Sequence, residues 1–566
     1  MKITGAQALM ECLKEQGVEV IFGFPGGAVI DIYDELMKTA EIKHVLVRHE
    51  QAAVHAADAY GRVRGEVGVA LVTSGPGATN TVTGIASAYM DSIPLVVFTG
   101  QVPTALIGND AFQEVDIVGI TRPCTKHNYL VKKADDLVPT IREAFHIARS
   151  GRPGPVLVDL PKDVVAATVS FTSPKPIKMQ TYRPTYEPHP GQIAKACKAI
   201  LQAKKPVIYA GGGVIASNAY EELTELARKL QIPTTMTLMG LGAFPGTHQL
   251  SMGMLGMHGT YYANMAVANC DVLIAVGARF DDRVTGRIDA FAPHAKIIHI
   301  DIDPTSISKN VKVDIPIVAD CKHALLAMNT WFERQEEFDA KDVAQKRKSW
   351  MREIKKWKKD HPLGYADEGD TIKPQYVVQK LHELTKGDAI ITTEVGQNQM
   401  WAAQFYHFNH PRAFMTSGGL GVMGYGFPAA IGAQMAAPDR TVIDIAGDGS
   451  IQMNIQELAT ARQYRCPVKI ALLNNSYLGM VRQWQELFYD KRYSHTSLEA
   501  APDFVALAKA YGAHGLRATK KSEVVPVIKE ALATDNVVLM DFVISREEGV
   551  YPMVPAGKAT TEMLLV

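Results

Sequence analysis

Gly447-Asp448-Gly449 closes the apolar run TVIDIA, and Asn474-Asn475 closes the next such run, KIALL, after 24 intervening residues. Both runs read as buried strands, and ligands of open parallel sheets bind at strand carboxyl ends, so the two segments predict one crevice. The Asp448 carboxylate and the Asn475 carbonyl are hard oxygen ligands. They suit Mg²⁺, which keeps few protein ligands and fills its octahedron with phosphate oxygens and water. Gly449 and Ser450 then open a helix whose free N–H groups can meet a diphosphate. Read singly, the Gly-Asp-Gly run is better taken as a tight turn with an Asp cap; its pairing with Asn-Asn at two strand ends is what points to chemistry. A second carboxylate, Glu50 in HVLVRHEQAAVHAADAYGRV, follows another strand and starts a helix, a place where the helix dipole alone also favours an acid.

The elements that must position these groups form a long alternation of short apolar runs and amphipathic segments, which predicts α/β architecture with parallel sheets. Strands are expected at 44–47, 67–73, 94–99 and 155–159, then at 206–210, 232–237, 271–276 and 297–302, and finally near 388–393, 441–446, 468–473 and 537–543. A chain of 566 residues exceeds one hydrophobic core, so three domains are expected. We place them at 1–172, 191–340 and 371–566, joined by a Pro-rich extended connector at 173–190 and a helical connector at 341–370. The first residues, MKITGAQALMECLKEQG, read as an amphipathic helix. Thr73-Ser74-Gly75 and Thr416-Ser417-Gly418 stand in similar settings, which suggests that the first and third domains are alike; chance similarity of two parallel-sheet segments is the alternative.

Lys+Arg 59 against Asp+Glu 59 leaves no net charge, which argues against a nucleic-acid or anionic-membrane binder. Between Lys341 and Lys359 nine basic residues meet two acidic ones, but Trp350, Ile354 and Trp357 recur there at helical spacing. That stretch therefore reads as a solvated helix packed by its tryptophans. The six cysteines are scattered, without a metal-ligand or disulfide pattern, and no segment reads as a signal, transit peptide or membrane span. A cytoplasmic setting is expected.

The Gly-Asp-Gly and Asn-Asn pair resembles the cofactor motif of thiamin-diphosphate (ThDP) enzymes. The resemblance implies Mg²⁺ ligation by Asp448, Asn475 and the backbone carbonyl of Tyr477. It also makes Arg48-His49-Glu50-Gln51 look like the segment whose Glu hydrogen-bonds the cofactor's aminopyrimidine and so promotes loss of the thiazolium C2 proton.

FGFPGGAVIDIYD (22–34), LVTSGPGATN (71–80), DAFQE (110–114), GRPGPVLVDLPKDV (151–164), GARFDDRVTG (277–286), GGLGVMGYGFPAAIG (418–432) and MVRQWQ (480–485) extend the likeness over all three domains. Together they closely resemble the catalytic chains of the biosynthetic acetohydroxyacid synthase (acetolactate synthase) family. The resemblance implies ThDP pyrimidine-binding and diphosphate-binding domains flanking a Rossmann-like FAD-binding domain. It implies that Gln397 contacts the diphosphate, that Gly421 receives the cofactor amine, and that Met423 supports the bent cofactor. Gly27, Phe112, Gln113 and Lys162 match reaction-pocket positions, although Lys162 could simply pair with Asp163. Trp484 matches the residue that favours 2-oxobutyrate as acceptor, a preference of about 1–3 kcal/mol for one methylene.

For the middle domain, Gly211 and Gly212 follow a strand in a loose dinucleotide turn. The resemblance makes Arg152, Arg279, Asp301 and Asp320 contacts of a largely structural FAD and turns Asp282 and Arg283 toward the active site. The implied reaction joins pyruvate, after loss of CO₂, to pyruvate or 2-oxobutyrate in valine, leucine and isoleucine synthesis. A homo-oligomer with active sites between subunits and a separate small regulatory subunit are implied as well. The competing reading is an FAD-dependent pyruvate oxidase. A non-catalytic scaffold is disfavoured because both Glu50 and Asp448 are present.

Overall fold

The computed structural model describes residues 1–565 apart from 173–175, 178 and 336–338. The first domain carries strands β1 (Lys2–Thr4), β2 (Val20–Phe24), β3 (Lys43–Leu46), β4 (Gly68–Val72), β5 (Leu95–Gln101), β6 (His127–Leu130), β7 (Pro155–Pro161) and β8 (Thr168–Ser170). The middle domain carries β9 (Pro206–Ala210), β10 (Thr234–Met236), β11 (Ser251–Met254), β12 (Val272–Val276), β13 (Lys296–Asp301) and β14 (Ile315–Val318). The third carries β15 (Ile390–Thr393), β16 (Phe414–Met415), β17 (Val442–Gly447), β18 (Lys469–Asn474), β19 (His514–Ala518) and β20 (Val538–Val543). Every expected strand is present, shifted by at most a few residues. The N-terminus departs from expectation. Its first residues pair as β1 antiparallel with β8, and the amphipathic helix, Gly5–Glu15, begins only after Thr4 has capped it.

The three main sheets are six-stranded and parallel. Strands such as β5 and β7 are buried on both faces, which is why they read as unbroken apolar runs. The first sheet has the order β3-β2-β4-β5-β7-β6 and the third β16-β15-β17-β18-β20-β19. Counted from the first strand of each, both are 2-1-3-4-6-5, so the likeness of the two domains is one of topology. The middle sheet, β11-β10-β9-β12-β13-β14, has the Rossmann order 3-2-1-4-5-6.

The first and third domains meet along two helices, Glu50–Arg64 and Gly426–Ala436, whose facing surfaces are mostly Ala and Gly. A Cβ at Gly432 would lie 2.0 Å from the Ala56 carbonyl oxygen, so only glycine permits this approach. Within the contact Arg62 pairs with Asp58 at 2.7 Å and Asp91 at 3.4 Å, and the Tyr425 hydroxyl donates to Asp58 at 2.6 Å. Asp91 in turn accepts from the backbone N–H of Gly418 and Gly419 at 3.0 and 2.7 Å, reaching the third domain's GGLGVM loop.

The basic helix Ala340–Asp360 packs on the middle domain, with Trp350 and Ile354 buried. Arg347 is fully buried and donates to the carbonyls of Ile200 and Leu230, at the C-terminal ends of two helices, where a cation is favoured. Its charge is thus structural. In the connector expected at 173–190, residues 173–175 and 178 lie outside the described residues, while Tyr182 donates to the Ser150 carbonyl. Among the described residues all six cysteines are free and no helix is long and apolar enough to cross a membrane.

Replacing Arg62 with Met would leave Asp58 and Asp91 buried without their cation, and such losses cost about 3–5 kcal/mol. Arg62→Met should lower the thermal unfolding midpoint markedly; a midpoint equal to the parent's would mean that this cluster is solvated.

Candidate functional site

The third sheet reverses its strand order between β15 and β17, and the Asp448 crevice opens at that switch point. A cavity of about 70 Å³ is lined by Gln397, Met423, Asp448, Gly449, Ser450, Asn475 and Tyr477, among others. The helix at Asp448–Ile451 is a single turn without a side-chain cap, so its first N–H groups are left for a ligand but carry no long dipole. Asp448 is buried, and its Oδ2 has no hydrogen-bond partner. Burial pushes its carboxyl up to about 7, with the backbone N–H groups of its own residue, Asn475 and Ser476 acting in the opposite direction. Asn475 Oδ1 accepts from the Tyr477 N–H at 3.1 Å, and its Nδ2 donates to Gln397 Oε1 at 3.2 Å. Gln397 Nε2 donates to Gln483 Oε1 at 3.0 Å and to the Glu548 carbonyl at 2.9 Å.

Glu394 is a group that sequence reasoning missed. Fully buried at the end of β15, it accepts from the Gly424 N–H at 2.7 Å, the Phe427 N–H at 3.0 Å and Ser450 Oγ at 2.5 Å. It thereby ties the loop of Gly421 and Met423 to the Gly449-Ser450 turn. Its position after a strand at the switch point was the available signal. Burial raises its carboxyl, and the neighbouring Asp444 is raised as well, by burial and by Glu394 itself.

A second cavity, of about 760 Å³, starts at the switch point of the middle sheet, between β9 and β12. There the Gly211–Gly213 turn packs directly on Gly277: a Cβ at Gly211 would lie 2.2 Å from the Gly277 carbonyl. Arg152, Gly211, Gly212, Arg279, Asp301 and Asp320 all line it. Arg152 pairs with Asp303 at 3.2 Å, and Asp320 Oδ1 caps the following helix through the Lys322 and His323 N–H groups. The same cavity extends to Arg283 and Trp484, and Val395, Gly396 and Met480 line both cavities, which makes them contiguous. The half-buried Trp484 leaves its indole N–H unpartnered.

The C-terminal arm holds this junction together. Gln483 and Val550 exchange two hydrogen bonds, at 2.9 and 3.1 Å, and Val554 N–H donates to Met257 at 2.8 Å. Arg287 N–H donates to the Lys558 carbonyl at 3.0 Å, which anchors the loop following Arg283.

Gly27, Glu50, Phe112, Gln113 and Lys162 follow β2, β3, β5 and β7, so parallel pairing sets them on one edge of the first sheet. Glu50 is half-buried and accepts from Asn80 Nδ2 at 2.9 Å. Phe112 is 88% exposed, and Lys162 is exposed too. Asp163 accepts from both the N–H and the hydroxyl of Thr104, which engages the carboxylate that Lys162 could have paired with. None of these five residues lines either cavity. Within one chain, therefore, the candidate groups fall into two sets, those that line the cavities and those on the edge of the first sheet.

Residues 3–120, 193–328 and 394–542 match, in order, the N-terminal TPP binding, central and C-terminal TPP binding domains of thiamine pyrophosphate enzymes. The chain is 51% identical over 568 residues to the Acetolactate synthase isozyme 3 large subunit of Escherichia coli, covering 100% of this chain and 98% of that one. It is 49% identical to the Acetolactate synthase large subunit of Haemophilus influenzae over 567 residues (100% and 98%). Against the Acetolactate synthase large subunit of Corynebacterium glutamicum it is 50% identical over 568 residues, 99% of this chain and 90% of that one. With that identity sustained across all three sheets, and a crevice at the switch point of the third, the chain belongs to the acetolactate synthase large-subunit family of ThDP enzymes.

Proposed function

We propose that the two contiguous cavities form one working site, in which ThDP with Mg²⁺ occupies the Asp448 crevice and FAD the glycine-lined cavity of the middle domain. The chain is a ThDP-dependent transferase that makes acetolactate in branched-chain amino-acid biosynthesis. Bound ThDP supplies a nucleophilic carbon and an electron sink. The orphaned Asp448 Oδ2, beside the Asn475 carbonyl, suits a hard divalent cation, with the Tyr477 carbonyl as third protein ligand. Gln397, Gly449 and Ser450 would hold the diphosphate, and Met423 and Gly421 the rings. The direct packing of Gly211–Gly213 on Gly277 leaves a cradle for a dinucleotide, with Arg152, Arg279, Asp301 and Asp320 along it.

The observation that carries the carboligase reading is that Trp484 and Arg283 line the cavity that joins the ThDP crevice at Val395, Gly396 and Met480. Arg283 supplies a cation for a 2-oxo acid carboxylate, and the indole face supplies apolar area for the extra methylene of 2-oxobutyrate. Glu50, Gln113 and Lys162 complete the chemistry from the first-sheet edge, with Gly27 and Phe112 walling the pocket. Because one chain keeps that edge apart from the Asp448 crevice, a second copy brings them together, and the site lies between the first domain of one subunit and the third of another. The relatives' name "large subunit" supports a separate small regulatory subunit as partner. A cytoplasmic location accords with the small-molecule substrates.

Product analysis tests the reading. With ThDP, Mg²⁺, FAD and pyruvate the product should be 2-acetolactate, shifting to 2-aceto-2-hydroxybutyrate when 2-oxobutyrate is added; acetate with reduced flavin would mean a pyruvate oxidase. Trp484→Leu should cut the preference for 2-oxobutyrate by about tenfold or more, the worth of one buried methylene. An unchanged product ratio would remove Trp484 from the acceptor site.

Mg²⁺ binding is expected to depend on pH in a definite direction. Asp448 must lose its proton to ligate the ion, and burial holds its carboxyl at about 7 in the metal-free chain. Affinity should therefore be level above about pH 7 and fall by about tenfold per pH unit below it. Titration calorimetry giving one affinity from pH 5.5 to 8 would exclude Asp448 as a ligand.

A further inference from the structure

We propose that Glu457, in the third domain, is a positioning residue for Glu50 in the first domain of the same chain. The inference rests on the role given to Glu50 above. Glu457 lies nine residues beyond Asp448 in sequence, yet lines neither cavity. Its carboxylate is fully buried and points at the other domain: Oε1 accepts from the Arg48 backbone N–H at 2.9 Å, two residues before Glu50. Oε2 accepts from Thr460 Oγ1 at 2.6 Å, which fixes the carboxylate plane.

The rest of the short connection between β3 and the Glu50 helix is held from the same place. The Leu46 N–H donates to the Tyr464 hydroxyl at 2.8 Å, and its carbonyl lies 3.4 Å from Thr460 Oγ1. The Arg48 guanidinium donates to Gln463 at 2.7 Å and back to the Leu46 carbonyl at 3.0 Å. Only Val47, Arg48 and His49 separate β3 from Glu50. A shift at the Arg48 peptide therefore passes directly to the first turn of the helix and to the direction of the Glu50 carboxylate. Beyond that turn, the hydrogen bond from Asn80 is the contact that steadies the Glu50 side chain.

A buried carboxylate is costly to keep, and burial pushes this one up to about 7, opposed by Thr460 and by the Arg48 and His49 backbone. A bond from N–H to carboxylate is about twice as strong as one to a neutral oxygen, so Glu457 grips the Arg48 peptide more firmly than Gln or a water would. Glu457 touches neither substrate nor cofactor in this arrangement. It sets where Glu50 is, and the third domain thereby takes part in the chemistry of the first.

The test compares the parent with Glu457→Leu, Glu457→Gln and Glu50→Gln, each loaded with ThDP, Mg²⁺ and FAD. Leu keeps the volume without an acceptor, while Gln keeps one acceptor oxygen without the charge. Three quantities are read: exchange of the thiazolium C2 proton for deuterium, the ThDP dissociation constant, and amide exchange over residues 44–52. Glu457→Leu should slow C2 exchange by about tenfold or more and speed exchange at the Arg48 amide, with ThDP affinity within about threefold of the parent. Glu457→Gln should recover part of the loss, leaving C2 exchange about threefold below the parent. C2 exchange at the parental rate in Glu457→Leu, with Glu50→Gln losing it, overturns the proposal and leaves the reading of Glu50 intact. If Glu457→Leu does not fold, parental exchange in Glu457→Gln overturns it equally. Undiminished exchange in Glu50→Gln overturns the reading of Glu50 itself, and the proposal falls with it.

Discussion

The contact between the helices Glu50–Arg64 and Gly426–Ala436 is the constraint on which the rest depends. It is close because both faces are built from Ala and Gly, and Gly432 lets one backbone ride on the Ala56 carbonyl. Such an interface has little apolar area per residue to offer. Specificity comes from the Asp58–Arg62–Asp91–Tyr425 cluster sealed inside it, which fits only one register. That register fixes where each sheet's carboxyl edge faces, and hence which groups one chain can bring together.

Much of the fold was legible because parallel strands buried on both faces spell themselves out as apolar runs. VGVALVT, PLVVFT and TVIDIA were visible at once, and the structure moves their ends by a residue or two. Of the strands not foreseen, β2 (VIFGF) and β14 (IPIV) do carry an apolar run and were passed over, whereas others lack one. β6 (HNYL) and β19 (HGLRA) are polar edge strands, and β1 and β8 pair only with each other over three residues. The shared 2-1-3-4-6-5 order of the outer sheets showed in sequence only as the faint echo of Thr-Ser-Gly after a strand.

The candidate site divides along the same line. Asp448, Asn475 and the glycine turns announce themselves because their chemistry is local: residue type, strand end and spacing lie in one stretch of chain. Glu394 and Asp91 do not, since what defines them is a partner in another segment. Asp91 meets Gly418 and Gly419 more than three hundred residues away, and Glu394 meets Gly424 and Ser450 across a sheet. A carboxylate that satisfies backbone N–H groups has no sequence signature beyond being an acid beside an apolar strand, as Glu394 is after β15.

The hydrogen bonds across the domain contact run in both directions. Asp91 of the first domain holds the third domain's Gly418–Gly419 loop, and Glu457 of the third holds the first domain's Arg48 peptide. Two domains of the same topology are thus not interchangeable modules. A chimera that takes its first domain from one relative and its third from another would need to inherit Asp91, Gly418, Glu457 and the Arg48 segment as a set. Recombination between such genes is constrained by contacts between domains as well as by contacts to ligands.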